Sequence, residues 1–219
     1  MQITHFGHSC VLVELEGTRI LFDPGNFSHD FEGLTGLDAV LITHQHPDHC
    51  DVARLPNLIG ENPQAIRIAD PQTAAQLNSD DVAGEWTAAL AGGQVDVGSV
   101  TARFTGGRHA VIHPEIPVVD NVAYVLGTAT APGRFMHPGD SFYIPFEQVD
   151  VLALPSAAPW MKLSESVDYL RAMAPRVAVP IHQAILSDAG TGIHYGRLAD
   201  MKDPGTEFVV LDGESATEV

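Results

Sequence analysis

Short apolar runs punctuated by turn residues recur along the whole chain: QITHF, CVLVEL, RILFD, AVLIT and AIRIA, then VTARF, NVAYVL, RFMH, VLALP, VAVPI and EFVVL. Their enrichment in Val, Ile, Leu and Phe between such boundaries predicts strands. Between them, DVARLPNLI, PQTAAQLNSDD, SESVDYLRAM and a weaker YGRLADM carry apolar residues at helical spacing. The opening strands follow one another through tight turns such as LEGTR and so pair antiparallel, whereas the later ones are separated by helices. Mixed sheets covered by helices follow. A β-rich opening, then helix, strand and helix, occurs twice, near 1–90 and 95–219, which fits two mixed sheets packed face to face with helices outside. AGGQVDVGS and TATAPGR read as turns and ESATEV as a frayed tail. With no linker in between, residues 1–219 are expected to form a single domain.

A chain of 219 residues is long enough for one sizeable core, burying roughly 70–75% of its unfolded surface. No apolar stretch reaches the eighteen or so residues that span a bilayer, and MQITHFGHSC lacks the basic start of a signal peptide. The expectation is a cytoplasmic protein with no membrane partner. Cys10 and Cys50 are too few for a disulfide framework and are read as reduced thiols. A net charge of −17 opposes sustained contact with nucleic acid or an anionic membrane, since neither gains by counterion release. The eleven histidines equal the whole Lys and Arg count, an imbalance that points toward metal.

The segment THQHPDHCD, residues 43–51, concentrates that chemistry directly after the apolar run DAVLI. Residues two apart on an extended segment point the same way, so His44 and His46 can share one metal. Pro47 holds His46 extended and suits the first position of a helix, which would turn Asp48 and His49 toward a second metal, with Asp48 at the positive end of the helix dipole. Isolated loop histidines are usually solvated, but four donors at this spacing are a metal signal. The remaining ligands are expected at other strand ends: His109 after VTARFTGGR, whose glycines let backbone approach closely; His182 after VAVPI; and Asp140 in HPGDS. Taken singly each has an ordinary alternative, such as an Asx turn for Asp140.

His44-x-His46-x-Asp48-His49 at the end of an apolar strand resembles the signature of the metallo-β-lactamase fold superfamily, and nearly the full length follows its order of motifs. Asp23 in ILFDP resembles the acid that orients the histidine loop; His109, Asp140 and His182 resemble the later motifs. ITHFGHSCVLVE and LFDPG are similar to the small metal-dependent hydrolases that include the ascorbate-phosphate lactonase type. The resemblance implies a four-layer αβ/βα sandwich. In it His44, His46 and His109 bind one ion, Asp48, His49 and His182 the other, and Asp140 bridges. His113 is a second candidate near His109, which is preferred as nearer the strand. Cys50 is not the cysteine ligand of true β-lactamases, whose place the Asp140 carboxylate takes, and this points away from antibiotic hydrolysis.

Two divalent cations, Zn2+ first, with Mn2+ or Fe2+ also suited to imidazole and carboxylate donors, can share a hydroxide and aim it at an electrophile. The implied activity is hydrolysis of a small ester, lactone or phosphoester. Asp48 is placed to orient the nucleophile or accept its proton. A site carrying a formal charge of about +1 attracts a small anionic substrate. A phosphodiesterase or nuclease, and a non-catalytic metal-dependent binding protein, are the competing readings. His8 in FGHS and His137 in MHPGD either line the pocket or are hydrogen-bonded structural histidines, the second being favoured. His5, His29 and His194 carry no site spacing. Trp160 and Tyr143 either wall the substrate or fill the core. Leu163, Val167, Leu170 and Met173 mark a helix that buries one face, and Gly106-Gly107 lacks a nucleotide-binding context.

Overall fold

The computed structural model describes residues 1–211, 213 and 215–219. The first half runs β1 (Gln2–His5), β2 (Val11–Leu15), β3 (Thr18–Phe22), β4 (Ala39–Ile42), α1 (Leu55–Glu61), β5 (Ile66–Ala69), α2 (Pro71–Ser79) and β6 (Thr87–Ala88). The second runs β7 (Gln94–Val97), β8 (Val100–Gly106), β9 (Val122–Gly127), β10 (Phe135–His137), β11 (Val151–Pro155), α3 (Leu163–Met173), β12 (Val177–Ile181), α4 (Asp188–Met201), β13 (Glu207–Phe208) and β14 (Thr217–Glu218). They form two seven-stranded sheets, ordered β14-β1-β2-β3-β4-β5-β6 and β13-β12-β11-β10-β9-β8-β7. Each is mixed: β1, β2 and β3 pair antiparallel and β3, β4 and β5 parallel. The β2–β3 hairpin turns on Glu16 and Gly17, both at positive φ (50° and 79°), as a two-residue type I′ turn requires.

Alternation within strands assigns each face. Ala39 and Leu41 of β4 enter a core shared with Val122, Tyr124 and Leu126 of β9. Their neighbours Val40 and Ile42 pack instead with Leu55, Leu58 and Leu77 of the helices α1 and α2. Ala123 and Val125 of β9 likewise pack against Val167, Leu170 and Met173 of α3. Both faces of these strands are therefore buried, which explains why AVLI and VAYVL read as continuous apolar runs. Each such Leu or Ile stabilises the fold by about 1.5–3 kcal/mol relative to exposure. The architecture is the four-layer sandwich expected, with helices outside the two sheets.

Several local expectations are corrected. AGGQVDVGS is not merely a turn: Gln94–Val97 pairs with β8, and its signal was weak because an edge strand buries little beyond Val97. In ESATEV, Thr217 and Glu218 pair with Ile3 and Gln2 rather than fray; Glu214 lies outside the described residues. DVARLPNLI becomes helical only from Leu55, because the Asp51 carboxylate accepts the amides of Ala53 and Arg54 and holds a preceding turn. YGRLADM is the end of the longer α4, masked in sequence by Gly190, Gly192 and Gly196 and by a face that buries only Leu198. TATAPGR does turn between β9 and β10, and both cysteines are buried free thiols. Among the described residues, no helix is long and apolar enough to cross a membrane.

Candidate metal centre

The histidine loop leaves β4 at Thr43, which is fixed before any imidazole is placed. The Asp23 carboxylate accepts the Thr43 amide at 2.7 Å through Oδ1 and the Thr43 hydroxyl at 2.7 Å through Oδ2. Beyond it the His46 carbonyl accepts the amides of His49 and Cys50, each at 2.9 Å. This single turn is not continued, so Pro47 does not begin a helix and no helix dipole lies under Asp48: the expected helical first turn is corrected to an isolated one. The turn still separates the donors as expected. His44 and His46 join His109 and Asp140 in one group, and Asp48 and His49 join His182 and His8 in a second, with ligand atoms in each group within 4.8 Å of one another. Gly25 lies under the loop, where a Cβ would come 1.9 Å from the Asp48 carbonyl oxygen.

Hydrogen bonds to the ring nitrogens decide which lone pairs face inward. His49 Nδ1 lies 2.7 Å from Asp23 Oδ2, and the rings of His109 and His182 reach the carbonyls of Ala110 and Ala157 through Nδ1, the latter at 2.6 Å. The Thr43 hydroxyl, donating to Asp23, accepts from His44 Nδ1 at 3.0 Å. Carboxylates and carbonyls only accept, so Nδ1 carries the proton in these rings and Nε2 is left with its lone pair. His49 and His182 Nε2 lie 3.1 Å from Asp140 Oδ1, and His109 Nε2 lies 3.2 Å from Oδ2. These Nε2 atoms and Asp140 Oδ1 are buried without hydrogen-bond partners. Lone pairs facing lone pairs in a buried space call for cations between them, so the donor set fits divalent metal.

Asp140 lies between the groups, offering one oxygen to each. Its backbone amide donates to Asn121 Oδ1 at 3.0 Å, and Trp160 Nε1 donates to Oδ2 at 2.7 Å. The preceding Gly139, at φ 59°, abuts Thr43, whose Cβ would be 2.7 Å from an added methyl. The other sheet reaches the same loop through Val122 N to Thr43 O and Tyr124 Oη to Ile42 O, both 2.9 Å. The rim is thus built jointly by the ends of strands from both sheets.

Burial dominates the His44 and His46 rings, lowering their pKa values and favouring the neutral form that ligates. Burial acts likewise on His49, but the Asp140 and Asp23 carboxylates outweigh it and hold that ring well above its ordinary value. Carboxylates that favour a proton on Nε2 equally favour a metal cation in its place. Burial would raise both acids, yet a hydrogen bond from His8 and the nearby His49 keep Asp48 low, and His49 and His182 keep Asp140 low.

All seven expected ligands, with Asp23 behind them, therefore meet at one rim. His113 is exposed and accepts the Glu115 amide, which leaves His109 as the member from that loop. His137 stays out of the donor groups: it stacks on Phe22 and donates from Nε2 to the Ser9 carbonyl at 2.9 Å. His8 is in the second group. Sequence reasoning missed Thr43, Asn121, Gly25 and Gly139, and it read Trp160 only as a substrate wall or a core filler, without the N–H that holds Asp140. The threonine immediately before H-x-H was the available clue, a hydroxyl able to join Asp23 to His44.

A model of the beta-lactamase superfamily domain matches residues 2–182, and the chain belongs to that superfamily. It is 59% identical to Protein Rv0786c of Mycobacterium tuberculosis over 99% of both chains. It is 28% identical to a UPF0173 metal-dependent hydrolase of Carboxydothermus hydrogenoformans over 96% of this chain and 100% of that one. The fold matches that of the metallo-beta-lactamase fold protein YhfI of Bacillus subtilis with a TM-score of 0.74, at 16% identity, covering 99% and 98% of the two chains.

Proposed function

We propose that this protein is a dinuclear metal-dependent hydrolase acting on a small ester, lactone or phosphoester, with Zn2+ as the first candidate ion. The observation that carries the reading is the pair of adjoining donor groups on either side of Asp140, with unpartnered Nε2 atoms aimed at its two oxygens. His44, His46 and His109 would hold one ion, Asp48, His49 and His182 the other, and Asp140 both. Two such cations lower the pKa of water between them and polarise a substrate carbonyl or phosphoryl oxygen.

The protein's own groups orient that chemistry. Asp48 is 22% exposed, against 4% for the Asp140 side chain, and it stands with the half-buried His46 on the accessible side. It is the group placed to hold a water by hydrogen bond and accept its proton. Phe27, 49% exposed, lies edge-on to His8 at 5.2 Å, and half-buried Trp160 lies beside Asp140. These rings offer apolar walls for the remainder of a substrate. A polynucleotide substrate is disfavoured by the net charge of −17.

The test is metal analysis of protein purified without added metal, with hydrolysis of lactone, phosphodiester and thioester panels by wild type and Asp140→Ala. Two ions per chain and turnover of one panel are expected for wild type, with both reduced in the variant. Unchanged metal content and turnover in Asp140→Ala would refute the assignment.

A further inference from the structure

His8 stands among the second group of donors, yet its ring is held in the opposite sense to the others. It is fully buried and lies at φ 50°, in the left-handed region that a side chain occupies at a cost of order 1–3 kcal/mol. Three contacts keep it there. Its carbonyl accepts the His182 amide and His5 Nε2, each at 2.8 Å, and its Nδ1 accepts the Ala184 amide at 3.3 Å. A neutral imidazole has one N–H and one lone pair. With the Nδ1 lone pair engaged by an amide, the proton sits on Nε2, and Nε2 lies 3.0 Å from Asp48 Oδ2. In His44, His49, His109 and His182 the proton is on Nδ1 and the lone pair faces the centre. His8 alone of these presents a proton.

We infer that His8 is a positioning residue for Asp48 and not a fourth imidazole ligand of the second ion. The inference rests on the metal-dependent reading above. Asp48 Oδ2 also faces the second group's free nitrogens, 3.8 Å from His49 Nε2 and 3.6 Å from His182 Nε2. Asp48 is the most exposed acid of the centre and its carboxylate would otherwise be free to turn. The His8 N–H fixes one oxygen toward the ion and leaves the other toward solvent. The His182 amide and the Ala184 amide both end on His8, so the same residue locks the segment that carries His182.

The test compares His8→Gln with His8→Asn by calorimetric titration of Zn2+ into metal-free protein. A glutamine amide nitrogen reaches the place of Nε2 and can donate to Asp48. An asparagine reaches only the place of Nδ1, and tolerates positive φ. His8→Asn is expected to bind the second Zn2+ roughly 10–100-fold more weakly with the first unchanged, and to lose kcat with little change in KM. His8→Gln is expected to keep affinity near that of wild type. Equal loss of the second ion in both variants would make His8 a ligand, and wild-type affinity in both would leave it without a role; either overturns the inference. Circular dichroism of each metal-free variant establishes that it folds. Wild-type protein that binds two Zn2+ ions but hydrolyses no panel substrate would sink the proposed activity and leave the His8 comparison intact.

Discussion

Asp23 shows how much of the centre is decided by single polar contacts. At φ 45° and fully buried, it engages Thr43 twice and His49 once, so one carboxylate sets both the exit direction of the histidine loop and the tautomer of a donor ring. Trp160 does the same for Asp140. Replacing it by phenylalanine keeps the aromatic contact with Phe142, whose ring centroid is 4.9 Å away, and removes the N–H that holds Oδ2. Trp160→Phe is expected to weaken metal binding roughly 10–100-fold with the melting temperature of the metal-free protein little changed, which competition with a chelating dye would measure. The donors that converge were legible in sequence because H-x-H-x-D-H is compact. Their supports were not, because Thr43, Asn121 and Trp160 gain their roles from partners 19 or 20 residues away in sequence, and nothing local to them marks the pairing.

At the level of elements, the donors sit where strands end: after β4, β8, β10 and β12. β4, β10 and β12 are buried on both faces and cannot shift along their axes without misplacing two sets of side chains, so their ends are rigid mounts, while β8 alternates buried and half-buried residues. The loop between β4 and α1 has no such ladder and depends instead on Gly25. Gly25→Ala would drive a methyl into the Asp48 carbonyl and is expected to cost about 3 kcal/mol, lowering the denaturant midpoint and the metal content together. The central strands were readable as apolar runs and α2 and α3 by their spacing. The edges β6, β7 and β14 were not, since a strand paired on one side and wet on the other needs few apolar residues, and the glycines of α4 weaken a helical pattern that tertiary contacts complete.

For the whole molecule, the donors are divided between the sheets: His44, His46, Asp48 and His49 come from the first, His109, Asp140 and His182 from the second. Cations that bind only the assembled rim stabilise it by mass action, by about 4 kcal/mol at a thousandfold excess over Kd. For a chain of 219 residues this corresponds to a melting temperature roughly 10 °C lower after chelation. Differential scanning calorimetry with and without a chelator measures that shift, and an unchanged midpoint would show that the ions are not shared in this way. The partition has a practical corollary. Because neither layer owns a complete set of donors, ion stoichiometry in a fresh preparation would, on the proposed metal-dependent reading, gauge how many molecules have docked their halves correctly, before any substrate is known.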